Sequence, residues 1–144
     1  MRVRRAYSQP GTYQEILKVT GASGEISYDF ATVNVFAPND TQRLPPTIHP
    51  AFHPTSGIRP GQPVTFKVRT FRTTDGEETW NFGDGSAKVT TKSDGNVVQL
   101  AKDGYAITTH SFTKPGDYLV RVERTNRHGH TAIGHLWVRV ESGR

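Results

Sequence analysis

Three histidines near the C-terminus are the first residues in this 144-residue chain that could hold a metal ion. His128 and His130 flank Gly129, and alternation would put both on one side of a strand, with His135 further along. No third ligand accompanies the pair, and the segment opens in a turn, where polar residues serve backbone geometry. Acid–base chemistry needs two positioned carboxylates or a nucleophile beside a base. Glu77 and Glu78 adjoin, so on a strand they face opposite sides. Ser86 follows a Gly-Asp-Gly turn, with no nucleophile-elbow pattern around it. The expectation is a non-enzymatic chain with no catalytic residue.

Composition narrows the remaining classes. With no Cys, disulfides and thiolate–metal sites are excluded. The formal charge of +5 arises from eighteen Lys and Arg dispersed among thirteen acids. Lys67, Arg69, Arg121, Glu123, Arg124 and Arg139 read as solvated strand faces, not as a basic stripe with aromatics between, so no nucleic-acid partner is expected. No apolar run approaches the ~20 residues that span a bilayer, so membrane insertion is not expected. The basic start Met1-Arg2-Val3-Arg4-Arg5 leads into no apolar core, unlike a signal peptide, which suggests a piece of a longer, secreted chain.

Around these residues the chain is punctuated as short strands. The organising stretch is Trp80-Asn81-Phe82-Gly83-Asp84-Gly85: Trp80 and Phe82 share one face, and two glycines around an acid reverse the chain. Val64, Phe66 and Val68 alternate with polar residues, as do Tyr118, Val120 and Val122, and Leu136, Val138 and Val140. Further strands are expected at Ala87–Thr91, Val97–Leu100 and Tyr105–Phe112. Short strands separated by Gly, Pro and Asp turns indicate an all-β antiparallel sandwich. Residues 7–36 read as two strands, Thr12–Thr20 and Ile26–Phe36. Residues 37–54 carry Pro38, Pro45, Pro46, Pro50 and Pro54 and read as an extended linker.

An internal repeat divides the chain. A shift of 105 positions lays Pro10-Gly11-Thr12-Tyr13 on Pro115-Gly116-Asp117-Tyr118, Gly24 on Gly129, Val33 on Val138 and Val35 on Val140. Residues 1–36 are thus read as the closing half of a preceding repeat, residues 37–54 as the linker, and residues 55–142 as a complete domain. A lone hairpin is marginal in water, so the half-repeat must pack in cis, pair with another copy or fray.

The motifs Trp80-Asn81-Phe82-Gly83-Asp84-Gly85, His110-Ser111-Phe112, Pro115-Gly116-Asp117-Tyr118 and Asn126 through Gly129 resemble the polycystic-kidney-disease (PKD) domain family. The resemblance spans roughly residues 55–141, and its closing half recurs at 7–36. It implies an immunoglobulin-like β-sandwich, used extracellularly or at the cell surface as an accessory module beside a hydrolase or in a surface protein. Asn81 stands where the family commonly has Asp. The stretch from Lys88 to Thr109 is longer than usual, which suggests an extra hairpin. Trp80 is expected to plug the sandwich, Tyr118 to bond its hydroxyl back to a loop, and His110 to clamp a loop. No cofactor is required, although some family members bind calcium, for which Asp75 and Asp84 could supply carboxylates.

Surface recognition has its own residues. With Leu136, Val138 and Val140 inward, Trp137 and Arg139 face outward, joined by Leu119 and Ile133. This face is either covered by the half-repeat or the extra hairpin, or offered to a partner, polysaccharide or extracellular protein. Neighbouring domains of the parent chain are further partners, and the half-repeat at 7–36 could drive a homodimer through its strand edge.

Overall fold

Val64, Phe66 and Val68 are all fully buried, and the strand that carries them is the middle of one of two facing sheets. The computed structural model describes residues 2–40, 43–95 and 104–143. Among these residues are nine strands and no helix: β1 (Gly11–Thr20), β2 (Ile26–Val35), β3 (Thr47–His53), β4 (Pro63–Phe71), β5 (Glu78–Asn81), β6 (Val89–Thr91), β7 (Ala106–Ser111), β8 (Gly116–Thr125) and β9 (Thr131–Val140). One sheet has the order β2-β1-β9-β8-β5-β6 and the other β3-β4-β7. The result is the immunoglobulin-like sandwich expected from the alternation.

Aromatic rings fill the space between the sheets. Phe66 lies 5.7 Å from Trp80, 5.1 Å from Phe82 and 6.5 Å from Phe112, measured between ring centroids. Trp80 is fully buried, and its Nε1 donates to Thr91 Oγ1 at 2.9 Å. Burial of Trp80 and Phe82 together contributes about 5 kcal/mol before chain entropy is counted.

Two expectations need correction. The segment 37–54 is not linker throughout, because β3 lies within it and pairs with β4 from Thr47↔Phe71 to His53↔Thr65. Ile48 is buried and Phe52 packs against the core, while Pro50 is tolerated because β3 is an edge strand laddered on one side only. Arg69 and Arg124 do not line a solvated face; they are 4% and 1% exposed. Within the long stretch 88–109, β6 pairs with β5 and β7 with β4 in the opposite sheet, and the remainder of the extra hairpin expected there lies outside the described residues. Asp94 N–H donates to the Gly104 carbonyl at 2.9 Å, and the strand expected at Val97–Leu100 lies outside the described residues.

The internal repeat extends to the hydrogen-bond register. β1 pairs with β2 from Gly11↔Val35 to Thr20↔Ile26, and β8 with β9 from Gly116↔Val140 to Thr125↔Thr131, the same pairs displaced by 105 positions. The turns match as well. Gly21 N–H donates to Glu25 O and Gly24 N–H to Gly21 O; Asn126 N–H donates to His130 O and Gly129 N–H to Asn126 O. Tyr13 donates its hydroxyl to Gln9 O and Tyr118 to Lys114 O, each at 2.8 Å and four residues back.

The first hairpin docks on the sandwich of its own chain. Its ladder to β9 is parallel and consists of Gly11↔Thr131 and Thr12↔Ala132. Side chains hold the remainder: Thr12 Oγ1 donates to Pro46 O at 2.7 Å, Phe30 stacks on His135 at 6.1 Å, and Tyr28 meets Trp137 edge-on at 5.6 Å.

Candidate functional site

The turn after β5 concentrates the polar residues that the motifs single out. Gly83 has φ 75°, and a Cβ there would sit 2.6 Å from Leu119 O, so the position admits only glycine without displacement. Asn81 Oδ1 accepts the Gly83 N–H at 2.9 Å, an acceptor role that the amide fills as well as a carboxylate would. Asp84 accepts from Ser86 N–H at 3.0 Å and Ser86 Oγ at 2.6 Å through one oxygen, and faces His110 Nε2 at 2.7 Å through the other. The His110 ring lies flat on Phe82, 4.0 Å between centroids and 2° between planes. Desolvation works against the Asp84 charge, but the bonds from Ser86 and His110 outweigh it and bring the carboxyl down to about 2. Serine, aspartate and histidine meet here, yet Ser86 Oγ points at the carboxylate and not at the imidazole. The arrangement ties β5 to β7 and contains no activated nucleophile.

Asp75 sits at the other end of β5, in the turn after β4. Arg127 grips its carboxylate with Nε at 3.0 Å, Nη2 at 3.2 Å and its backbone N–H at 3.2 Å, and these bonds hold the carboxyl below its usual range. Asp75 and Asp84 therefore lie at opposite ends of a strand and cannot share one cation. His128 and His130 are 6.0 Å apart between ring centroids, while His135 is drawn away under the first hairpin. Among the described residues no three or more His, Asp or Glu are grouped as a metal shell would require.

The outward face of β8 and β9 brings together the residues proposed for recognition. Leu119 pairs with Trp137 across the ladder, and both are half-buried, as is Ile133. Trp137 Nε1 donates to Asp117 Oδ1 at 2.8 Å, and the exposed Arg139 lies 4.8 Å above the indole. Arg139 also donates to Asp117 Oδ1 at 2.9 Å and to Ile26 O at 2.9 Å, so the indole is framed by Tyr28, Asp117 and Arg139. Next to it His135 is 8% exposed; its backbone N–H donates to Gln14 Oε1 at 2.5 Å, and Nδ1 lies 3.1 Å from the same oxygen. Burial, together with the positive charge of Arg121, lowers its basicity. A cleft of about 380 Å³ runs between the hairpin and β3, lined among others by Gln14, Thr32, Asn34, His49 and His135.

Strand alternation alone did not reveal Gln14, Tyr28, Phe30 and Asp117, because their partners come from the other copy of the repeat or from across a strand. The buried set around Glu78 was also missed. Glu78 takes bonds from Thr70 Oγ1 at 2.8 Å, Ser93 N–H at 2.9 Å, Ser93 Oγ and Arg124 Nη1 at 3.0 Å. Burial opposes its charge, but the hydrogen bonds from Ser93 and Thr70 and the Arg124 cation leave the carboxyl below its usual range. The signal was present: Glu78 has the parity of Trp80 and Phe82, and Arg124 that of Val120 and Val122.

Comparison with known families agrees with this architecture. The family model of the PKD domain matches residues 51–134, more than half of the 144. Among solved structures the chain is similar to the PKD domain of an M14-like peptidase from Thermoplasmatales archaeon SCGC AB-540-F20, at 21% identity and a TM-score of 0.44, covering 66% of this chain and 91% of that one. A search of curated proteins returned no match. With the sandwich, its motif turn and the family match in hand, the chain is a member of the PKD domain family.

Proposed function

We propose that this chain is a non-catalytic accessory module of a larger secreted or surface protein, working as a spacer or scaffold that sets the distance between neighbouring domains. PKD domains typically occur in extracellular or surface proteins and are generally non-catalytic. The observation that carries the reading is the use made of the motif side chains. Asp84, Ser86 and His110 are bonded to one another, Tyr118 to Lys114 and Asn81 to Gly83, so each holds a turn in place. A repeat of identical register at both ends of the chain suits modules strung in series.

A second reading rests on Trp137, half-buried with Arg139 above it, as a contact for polysaccharide or extracellular protein. Retention of the wild-type chain on insoluble polysaccharides and on collagen, beside Trp137→Ala, separates the two. Equal and negligible retention of both proteins is the outcome expected of a spacer. Retention that Trp137→Ala abolishes replaces it with the binding module.

A further inference from the structure

We propose that the outer edge of β2 is a self-association site, pairing antiparallel about a two-fold axis with β2 of a second copy of this chain. β2 ends the larger sheet, and its ten residues are laddered to β1 alone. Its outward groups can be assigned. Phe30 N–H donates to the side chain of Asp29 at 2.8 Å, so it does not enter the β1 ladder. Alternate residues of an antiparallel strand point the same way, so Tyr28, Thr32 and Asn34 also turn their N–H and C=O outward. The Glu25 carbonyl agrees with this parity, since it accepts from Gly21 N–H across the hairpin and leaves the Ile26 carbonyl, which accepts from Arg139, outside the β1 ladder.

Two of the other sheet edges carry devices that discourage pairing, and β2 carries few. β6 is three residues long between Lys88 and Lys92, and β3 has Pro50 at its centre, while β7 at six residues is a shorter edge than the ten of β2. β2 has no Pro, Lys or Arg, and its sequence ISYDFATVNV is rich in β-branched and aromatic residues. Asp29 is its one formal charge. Registers centred on Phe30 or on Ala31 overlap nearly the whole strand and keep the two Asp29 side chains from facing each other. In either register the Phe30 N–H passes from Asp29 to a backbone carbonyl, and the carboxylate returns to water.

Apolar exposure is concentrated on the same hairpin. Ile16, Leu17 and Val19 on β1 are 40%, 55% and 53% exposed, and Phe36 at the end of β2 is 52% exposed. A two-fold pairing of edges would set two such hairpins side by side in one four-stranded layer of order β1-β2-β2-β1, with Phe36 of each copy beside the β1–β2 turn of the other and the apolar residues of β1 on the two outer strands. A second copy fits the edge because an isologous contact needs no surface that the chain does not already have.

Sedimentation equilibrium of the wild-type chain over a wide concentration range is the test, with Thr32→Pro and Thr32→Lys beside it. Thr32→Pro removes an outward N–H and leaves the β1 ladder intact, whereas Thr32→Lys keeps the backbone and adds an edge charge. Reversible dimerisation of the wild type, weakened at least tenfold by both variants at unchanged circular dichroism, supports the site. If Thr32→Pro proves misfolded, Thr32→Lys decides alone. A wild type that stays monomeric at millimolar concentration, or a dimer that Thr32→Lys leaves unchanged, overturns it.

Discussion

Arg124 Nη1 donates to Glu78 Oε1 at 3.0 Å, and neither side chain touches solvent. Arg124 Nε reaches the Asp75 carbonyl at 2.8 Å, and Thr91 Oγ1 links Glu78 to the Trp80 indole. One buried ion pair thereby joins β5, β8, the turn after β4 and the segment after β6.

Truncating one member of that pair leaves the other charged, buried and unpaired. Arg124→Ala and Glu78→Ala are each expected to cost roughly 3 to 5 kcal/mol of folding stability. Replacing both at once by apolar residues of similar size is expected to cost far less than the sum of the single losses. Urea unfolding of the four proteins checks this, and additive losses would contradict the pairing.

Acid should loosen the turn after β5. The Asp84 carboxyl lies at about 2 in the folded chain, against 3.8 as its ordinary value. A folded-state value below the unfolded one means that the unfolded chain binds more protons, so this stabilisation is complete above about pH 4 and disappears as the pH falls towards 2. Asp84→Asn is expected to melt at a lower temperature than the wild type at neutral pH and to show a shallower decline between pH 4 and 2. Parallel melting curves across that window would show that Asp84 is not the titrating group.

Gly83→Ala is expected to destabilise the sandwich by more than the roughly 1 kcal/mol typical of a strained backbone position. Two penalties combine, a φ of 75° and a methyl group 2.6 Å from Leu119 O. Gly85 also has positive φ, 84°, but faces open space, so Gly85→Ala should cost less. Thermal unfolding of the two variants ranks them, and a reversed order would show that the contact with Leu119 relaxes freely.

Much of this was legible from period-two alternation, since it depends only on which face of a strand a residue occupies. Trp80, Phe82, Val64, Phe66 and Val138 lie where alternation puts them, and the 105-residue offset recovered the paired register of both hairpins. β3 was hidden because proline density outweighed the apolar Ile48 and Phe52, although an edge strand can carry a proline. Glu78 and Arg124 were hidden because residue type was given more weight than parity, and a charge can be buried once its partner is buried with it. The half-repeat was one of the covers expected over Trp137, but the contacts that make it, Tyr28 on Trp137 and Phe30 on His135, arise from tertiary folding of the hairpin, which no local pattern encodes.

In the spacer proposed above, the two-rung ladder at Gly11 and Thr12 would have a mechanical meaning. Tension applied through the N-terminus meets this short joint before it meets the long ladder between β8 and β9. The leading hairpin is expected to part from the sandwich first, while the aromatic interior stays shut. A spacer built this way would lengthen in stages, yielding at its hinge and keeping its body whole.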